Sequence, residues 1–264
     1  MTAHPLIIGH RGASADAPEN TLAAFARALR DGADGIEFDV RLARDGVPVV
    51  IHDATLQRTG LMNGAIAELT SSELKRIEVG SWFNQSHPNA ASAEYARETV
   101  PTLKQVFEVL AGAGALLYLE MKWVEEESER LAAEVVRLIR KCSLADRVIV
   151  ESFELSGLET VKRIDGGIRT AALFEPKLNR PIALLRRMKI VDLARRCGAD
   201  EIALHHTLVS RRLVERASQY RLETIVWTVD DPQWIQRARS LGIKALITNN
   251  PAKMLELRNT SPPD

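Results

Sequence analysis

Side chains that can bind a metal ion and a phosphate stand at the ends of strand-like apolar runs in the first half of the sequence. They are two imidazoles, three carboxylates, one ammonium and one guanidinium: His10, His52, Glu37, Asp39, Glu120, Lys122 and Arg11. Glu37 and Asp39 are two residues apart, as are Glu120 and Lys122, and side chains at that spacing project from the same face of a strand. The pattern predicts that these residues surround one rim where parallel strands end.

The chemistry that suits this set is metal-assisted cleavage of a phosphodiester. Carboxylates without a cysteine among the ligands favour a hard cation, Mg²⁺ or Ca²⁺, over zinc. Arg11 and Lys122 would bring positive charge to an anionic substrate such as a phosphate. His10 and His52 can serve as acid and base, because imidazole titrates near neutral pH. A glycosidase would need mainly two carboxylates and would leave the histidines and the basic residues without a role.

Each of these residues also has a structural interpretation. A histidine at a strand end is often a hydrogen-bonded structural residue, and Glu120 and Lys122 can form a simple salt bridge on one strand face. Burial of Glu37 and Asp39 within an apolar run would be costly unless a cation accompanied them. The coincidence of such residues at three consecutive strand ends favours a functional site.

Eight short apolar runs alternate with amphipathic helical patterns along the chain. The runs are Leu6–His10, Gly35–Val40, Leu116–Lys122, Val148–Phe153, Arg169–Phe174, Glu201–Leu204, Thr224–Val229 and Ala245–Thr248. Strands that alternate with helices imply right-handed crossovers and a parallel sheet. Eight such units in 264 residues match a (β/α)₈ TIM barrel. A doubly wound open sheet is the alternative, because periodicity alone does not establish closure.

Two segments interrupt this alternation after the second strand. The Asp45-Gly46 pair is a turn signal, and the apolar residues 47–52 that follow it predict an extra extended segment. The long polar stretch at about 53–100 predicts a small insertion. We therefore expect one catalytic TIM-barrel domain over residues 1–258, with this insertion, and a disordered tail at 259–264.

Composition excludes several classes of protein. The chain carries 35 Lys+Arg and 35 Asp+Glu, and zero net charge argues against a nucleic-acid-binding protein. No apolar run approaches the roughly 18 residues of a membrane-spanning helix, so no stable membrane insertion is expected. The first ten residues show no secretory signal, and Cys142 and Cys197 are interpreted as buried free thiols within helices. These features predict a cytoplasmic protein, and they leave the oligomeric state open between monomer and dimer.

An ordered series of motifs surrounds the candidate residues. The motifs are His10–Gly12, Pro18–Thr21, Glu37–Val40, Val47–Asp53, Gly80–Phe83, Val100–Leu103, Glu120–Lys122, Ser152–Phe153, Trp227–Val229 and Thr248–Pro251. In this series the sequence resembles the bacterial, cytoplasmic glycerophosphodiester phosphodiesterases, from about residue 6 to residue 252. One departure is Asn249, where that family usually has aspartate.

The resemblance implies a (β/α)₈ barrel that hydrolyses glycerophosphodiesters to sn-glycerol 3-phosphate and an alcohol. It also implies one divalent cation, Mg²⁺ or Ca²⁺, and a small-molecule substrate. The roles that it implies are acid–base catalysis by His10 and His52, metal binding by Glu37, Asp39 and Glu120, and phosphate binding by Arg11 and Lys122. The loss of charge at Asn249 touches none of these seven residues.

Other candidates lie later in the chain. Trp227 is either an apolar wall of the glycerol pocket or a core aromatic at the top of the barrel. His205 and His206 are interpreted as a polar strand end, and His4 and His87 as surface residues. Basic residues crowd the region after the fifth strand: Lys177, Arg180, Arg186, Arg187, Lys189, Arg195 and Arg196. A solvated helix face is the preferred interpretation of this region, and a contact with anionic substrate or lipid head groups is the alternative.

Two other functions compete with the phosphodiesterase. A phospholipase C/D-like hydrolase of lysophospholipids could use the same barrel, but it would need an apolar approach to the rim. A catalytically dead barrel that serves as a binding module would be expected to have lost a histidine or a metal-binding carboxylate. All of those residues are present in this sequence.

Overall fold

Nine strands and ten α-helices are found in the computed structural model, which describes residues 4–122, 128–176 and 183–260. The strands are β1 (Leu6–His10), β2 (Gly35–Leu42), β3 (Pro48–Val50), β4 (Leu116–Met121), β5 (Val148–Ser152), β6 (Arg169–Phe174), β7 (Glu201–His205), β8 (Glu223–Trp227) and β9 (Ala245–Thr248). The helices are α1 (Leu22–Arg30), α2 (Ser71–Leu74), α3 (Ser81–Ser86), α4 (Leu103–Leu110), α5 (Ser128–Lys141), α6 (Leu155–Ile164), α7 (Ala183–Arg196), α8 (Arg211–Gln219), α9 (Gln233–Leu241) and α10 (Pro251–Thr260).

Eight parallel strands close into a barrel. β1 pairs with β9 on one side and with β2 on the other, and the remaining parallel strands follow in chain order between them. This closure confirms the predicted (β/α)₈ barrel and rules out the open sheet. β3 pairs antiparallel with β2 after the turn at Asp45-Gly46. This strand confirms the extra extended segment that was predicted there.

Helices cover the outside of the barrel through their apolar faces. In α1 the hydroxyl of Thr21 caps the helix by accepting a hydrogen bond from the backbone N–H of Ala24 at 3.2 Å. Ala24, Phe25 and Ala28 lie on one face and are buried against the sheet. The main core therefore lies between the sheet and its helices.

A second apolar cluster fills the lumen of the barrel. Its buried members are Ile8, Tyr118, Ile149, Ala171, Leu173, Ala203, Ile225, Ala245 and Ile247. Side chains alternate between the two faces of a strand, so a residue two positions after a lumen residue also faces the lumen, nearer the carboxyl end. This alternation brings Glu120, Glu151, His205 and Trp227 to the mouth of the barrel.

The amino end of the lumen is closed by charged side chains around Glu201. This residue is fully buried, accepts a hydrogen bond from the Tyr118 hydroxyl at 3.2 Å and pairs with Lys244 at 2.8 Å. Arg169 also pairs with Glu201 and lies 2.9 Å from Glu223. These cations offset the cost of burying a carboxylate at the amino end of the lumen. The carboxyl end, at the opposite mouth, carries the predicted site residues.

The insertion at 53–100 has a small apolar cluster that it shares with β3 and the residues beside it. The cluster comprises Ala43, Val49, Ile51, Leu56, Ile66, Leu74, Val79 and Val100. Helices α2 and α3 and several short 3₁₀ turns make up the segment. Its packing anchors the chain that leaves His52 at the rim.

Smaller predictions also meet the structure. The predicted disordered tail starts too early, because α10 continues through Asn259 to Thr260, and residues 261–264 lie outside the described part of the chain. Both cysteines are free, but Cys142 is only half-buried, and each follows the last residue of a helix rather than lying within it. Among the described residues, no helix combines the length and apolar character needed to cross a membrane.

Candidate active site

Three carboxylates converge at the mouth of the barrel. Glu37 and Asp39 lie on β2, and Glu120 lies beside Asp39 on the neighbouring strand β4. Each offers one oxygen, and these oxygens all lie within 4.8 Å of one another. The three residues are 3%, 1% and 8% exposed, respectively. A buried, all-oxygen donor set of this size fits a hard divalent cation such as Mg²⁺ or Ca²⁺.

Two cationic side chains accompany the carboxylates. The Nζ of Lys122 lies 2.8 Å from Asp39 Oδ1 and 2.7 Å from Glu120 Oε1. The Nε of Arg11 lies 3.1 Å from Asp39 Oδ2. Asp39 also accepts a hydrogen bond from the Asn20 side-chain amide at 2.8 Å. Both cations contact Asp39, so the central carboxylate is neutralised better than its two neighbours.

The pKa values follow this distribution of charge. Burial and the adjacent Asp39 raise the pKa of Glu37 well above its ordinary value. Burial, then Asp39, raises the pKa of Glu120 to about 7. Burial also acts to raise the pKa of Asp39, but the charges of Lys122 and Arg11 outweigh it and hold that pKa below its usual range. A divalent cation at this position would favour the ionised form of all three carboxylates.

A left-handed turn after β1 places Arg11 beside this triad. Arg11 has φ +52° and Gly12 has φ +86°, and a Cβ on Gly12 would lie 2.6 Å from the backbone carbon of Ala24. The turn directs the backbone N–H of Arg11 toward Glu37 Oε2, to which it donates a hydrogen bond at 2.9 Å. The Nη1 of Arg11 donates to Glu19 Oε1 at 2.8 Å. Asp39 and Glu19 therefore hold the guanidinium of Arg11 from two sides.

His10 ends β1 and faces the triad. Its Nε2 lies 3.8 Å from Glu37 Oε2, and its Nδ1 lies 2.7 Å from Asn249 Oδ1. Burial lowers the pKa of His10 to about 4, with a further contribution from the charge of Arg11. The imidazole is consequently neutral near pH 7 and has one nitrogen directed at the carboxylates.

His52 follows β3 and lies near enough to Asp39 for the charges of the two groups to act on each other. Its Nδ1 lies 2.7 Å from Asp53 Oδ1, and Arg58 donates a hydrogen bond to Asp53 Oδ2 at 2.6 Å. The Nε of Arg41 donates to the backbone carbonyl of His52 at 2.8 Å. Burial lowers the pKa of His52, although the charge of Asp39 opposes the shift. Its side chain is 32% exposed, so the ring is open to a substrate.

All seven residues predicted from the sequence therefore lie at one mouth, but the sequence did not identify several of their partners. Glu19 connects Arg11 with Arg58, which lies 2.7 Å away, and Asp53 holds His52. Glu19 and Asp53 lie within the sequence motifs, but no role was predicted for them. No sequence pattern indicated Arg58, because its contacts depend on the path of the insertion.

Glu151 is a fourth buried carboxyl group that the sequence analysis missed. It lies next to Glu120 in the sheet register, is 1% exposed, and has no hydrogen-bond partner for Oε1 among the described residues. Burial, together with Glu37 and Glu120, raises its pKa well above the ordinary value. The feature that could have identified Glu151 is its position on the strand, two residues after Ile149, whose side chain faces the lumen.

Trp227 lies on the wall of the mouth formed by the later strands. Its ring is 5.5 Å from that of Phe153 and 5.2 Å from that of His205, both in edge-to-face geometry. Trp227 is half-buried and packs against the lumen cluster. This packing agrees with a core aromatic at the top of the barrel, and the role of Trp227 as a wall of the glycerol pocket stays a prediction.

The remaining candidates lie away from the triad or have local partners. The Nδ1 of His205 lies 2.8 Å from the Thr207 hydroxyl, and the ring of His206 lies beside it. His4 and His87 are exposed, as predicted. In the basic region, Lys177 and Arg180 lie outside the described residues, as do the side chains of Arg186 and Arg187, whereas Lys189, Arg195 and Arg196 are exposed on α7.

Comparison with known proteins places this geometry in a wider group. A model of the glycerophosphoryl diester phosphodiesterase family matches residues 10–253. The chain is 31% identical over 252 residues to a glycerophosphodiester phosphodiesterase of Caldanaerobacter subterraneus subsp. tengcongensis, covering 96% of this chain and 97% of that protein. It is 30% identical over 251 residues to a glycerophosphodiester phosphodiesterase of Bacillus subtilis, covering 93% of this chain and 84% of that protein.

Solved structures agree with the sequence comparisons. The chain superposes with a TM-score of 0.83 on an Oleispira antarctica phosphodiesterase in complex with the product sn-glycerol-3-phosphate, at 27% identity and covering 97% of this chain and 98% of that chain. The TM-score is 0.78 with a glycerophosphodiester phosphodiesterase from Agrobacterium tumefaciens, also at 27% identity and covering 96% and 99%. The barrel fold is therefore shared over nearly the whole length of these chains.

Proposed function

The chain belongs to the glycerophosphoryl diester phosphodiesterase family, and we propose that it hydrolyses glycerophosphodiesters to sn-glycerol 3-phosphate and an alcohol at the mouth of its barrel. The observation that carries the proposal is the buried carboxylate triad, which has two cations against it, His10 at 3.8 Å from Glu37, and His52 near enough for its charge to act on Asp39. The relative from Oleispira antarctica, named as binding sn-glycerol-3-phosphate, supports the same product for this chain.

Glu37, Asp39 and Glu120 would hold one divalent cation, Mg²⁺ or Ca²⁺. The donor set supports this assignment, because three buried carboxylate oxygens within 4.8 Å of one another suit a cation that prefers oxygen ligands. When bound, such a cation stabilises negative charge on the phosphoryl oxygens. Lys122 and Arg11 already pair with Asp39, so they also limit the repulsion between the carboxylates.

Arg11 and Lys122 would bind the phosphate of the substrate. Both side chains are mostly buried at the mouth, at 17% and 13% exposure, and both carry charge throughout the physiological pH range because neighbouring carboxylates raise their pKa values against the effect of burial. Charge-assisted contacts to a phosphate are stronger than neutral hydrogen bonds. Glu19 holds the guanidinium of Arg11 in place for that contact.

His10 and His52 would move the protons. A base takes a proton from the attacking oxygen, which belongs either to water or to the 2-hydroxyl of the substrate glycerol; attack by the 2-hydroxyl forms a cyclic phosphate, which water then opens to sn-glycerol 3-phosphate. An acid gives a proton to the oxygen of the departing alcohol as its bond to phosphorus breaks. Each ring has its Nδ1 held by a neighbour, Asn249 for His10 and Asp53 for His52, so each can exchange a proton through Nε2.

The proposal is tested by measuring release of sn-glycerol 3-phosphate from a panel of water-soluble glycerophosphodiesters, and release of choline and phosphocholine from lysophosphatidylcholine. We expect His10→Ala and His52→Ala each to lower kcat by at least about a hundredfold, because a positioned acid or base contributes about 10²–10⁴-fold. His87→Ala is the matched control, since this histidine is exposed and far along the insertion. A p-nitrophenyl diester, whose leaving group needs no proton, should rescue only the variant that has lost the acid.

Three results would count against this reaction. Near-full activity of both histidine variants on ordinary diesters would remove the acid–base assignment. Faster release of choline or phosphocholine from lysophosphatidylcholine than of sn-glycerol 3-phosphate from every water-soluble diester would favour the lysophospholipid hydrolase. An inactive wild-type protein that still binds sn-glycerol 3-phosphate would favour the binding module.

A further inference from the structure

Asn249 occupies the loop after β9 and joins His10 to a second carboxylate. Its Oδ1 lies 2.7 Å from His10 Nδ1 and accepts a hydrogen bond from the Ser14 hydroxyl at 3.0 Å. Its Nδ2 donates to Asp230 Oδ2 at 2.7 Å. The amide therefore stands between an imidazole and a carboxylate and contacts both.

Asp230 fixes which end of this amide faces His10. Its Oδ1 accepts hydrogen bonds from the Thr248 hydroxyl and from the backbone N–H of Asn249, both at 2.8 Å. An ionised carboxylate only accepts hydrogen bonds, so it requires the NH₂ group of Asn249 on its side. The amide oxygen is left pointing at His10.

The orientation of the amide determines where His10 carries its proton. An amide oxygen only accepts, and therefore the nitrogen 2.7 Å away, Nδ1, must be the donor. In the neutral imidazole the other nitrogen, Nε2, then has a free lone pair. That nitrogen lies 3.8 Å from Glu37 Oε2, on the side of the carboxylate triad.

We propose that Asp230 and Asn249 form a positioning relay that keeps a proton on His10 Nδ1 and leaves Nε2 as the nitrogen directed into the reaction site. The value of the relay for catalysis rests on the proposed function, because only a reaction at the mouth uses that nitrogen. The carboxylate expected by resemblance at position 249 is replaced by an amide, and the negative charge stands one residue further from the imidazole, at Asp230. Asn249 and Asp230 act through His10 and are not expected to touch the substrate.

The tautomer of His10 can be read directly by nuclear magnetic resonance. We would label the full-length protein with ¹⁵N-histidine, record long-range ¹H–¹⁵N correlations with chelator and with Mg²⁺, and assign His10 from the spectrum of His10→Gln. The relay predicts the Nδ1–H form in the wild type. Asn249→Ala and the isosteric Asp230→Asn should both give a mixture, because the first removes the acceptor and the second lets the amide turn over.

Asn250→Ala is the matched control. Asn250 is also an asparagine of this loop, but its Oδ1 accepts from the backbone N–H of Lys253 at the start of α10 and does not face His10. We expect this variant to keep the Nδ1–H form. An Nε2–H wild type, or an Nδ1–H fraction unchanged in Asn249→Ala, would overturn the relay. An unchanged fraction in Asp230→Asn would remove Asp230 from it.

Kinetics provide the second measurement. Asn249→Ala should lower kcat on the order of tenfold to a hundredfold, part of the roughly 10²–10⁴-fold that an acid or base contributes, and leave KM nearly unchanged. An equal rise in KM with kcat retained would contradict a role through His10. A wild type with the predicted tautomer but no diesterase activity would leave the relay intact and refute the proposed function, so the two failures are distinguishable.

Discussion

Removal and return of a divalent cation should change the stability of this protein more than that of an ordinary barrel. The mouth contains Glu37, Asp39, Glu120 and Glu151, all buried, against the two cations of Arg11 and Lys122. Two cations accompany these four carboxyl groups, and one of them, Arg11, also pairs with Glu19, so a divalent cation would offset negative charge at this point. Without it, burial and the neighbouring carboxylates disfavour ionisation of three of the four groups.

The size of the effect follows from mass action. A ligand that binds only the folded state stabilises it by about 2.7 kcal/mol at a hundredfold excess over its Kd. For a chain of this length, each kcal/mol shifts the Tm by roughly 2–4 °C. We therefore expect Mg²⁺ or Ca²⁺ at a hundredfold excess to raise the Tm of chelated protein by about 5–10 °C.

The assay is differential scanning calorimetry of protein freed of metal by EDTA, confirmed by elemental analysis, and titrated with each cation. Glu120→Gln should lose the metal-dependent rise while keeping the shape of the side chain. Its metal-free form should be at least as stable as the wild type above pH 7. The reason is that burial raises the pKa of Glu120 to about 7, so the wild type loses stability as pH rises from 4.5 toward 7.

Glu108→Gln is the control, because Glu108 is an exposed residue of α4 and pairs only with Lys104 among the described residues. It should keep the full metal response. The same rise in Tm for Glu120→Gln as for the wild type would refute the reasoning, as would a metal-free wild type whose Tm does not respond to either cation.

Two further predictions concern the anion and the turn after β1. Arg11→Ala and Lys122→Ala should each lower kcat/KM about tenfold to a hundredfold in steady-state kinetics, since hydrogen bonds to charged groups are worth roughly 1.5–3 kcal/mol. No effect at either position would mean that both residues are structural partners of the carboxylates. Gly12→Ala should destabilise the fold by at least about 2 kcal/mol more than Gly114→Ala in urea unfolding, because both have positive φ but only the Cβ at position 12 would overlap Ala24. Equal losses for the two glycines would show that the close approach to Ala24 is relieved at little cost.

The sequence alone predicted the strands of the barrel and the candidate site residues. The apolar runs predicted the parallel strands with ends that agree within two residues, and the Asp45-Gly46 turn predicted the extra extended segment in which β3 lies. These are local properties, because the burial of a strand and the conformation of a turn depend on neighbouring residues. The pair Glu37 and Asp39 could be recognised for the same reason, as their spacing places both on one face of β2.

Resemblance and strand position together also predicted that the seven site residues meet at one mouth. The acid–base, metal-binding and phosphate-binding roles remain predictions until the experiments above are done. Trp227 shows what a sequence pattern cannot decide. An aromatic residue at a strand end fits a substrate pocket and a packed barrel core equally well. The structure shows that this residue both packs in the core and faces the mouth.

Only the tertiary structure decided closure of the sheet and the partners that hold the site residues. Pairing of β1 with β9 brings Asn249 to His10 across 239 residues of sequence, and the insertion brings Arg58 to Glu19. No local pattern encodes such contacts, because a hydrogen bond depends on distance and direction between atoms and not on their separation along the chain. The tautomer of an imidazole depends on those contacts, and so the proton proposed on His10 Nδ1 could be assigned only from the tertiary structure.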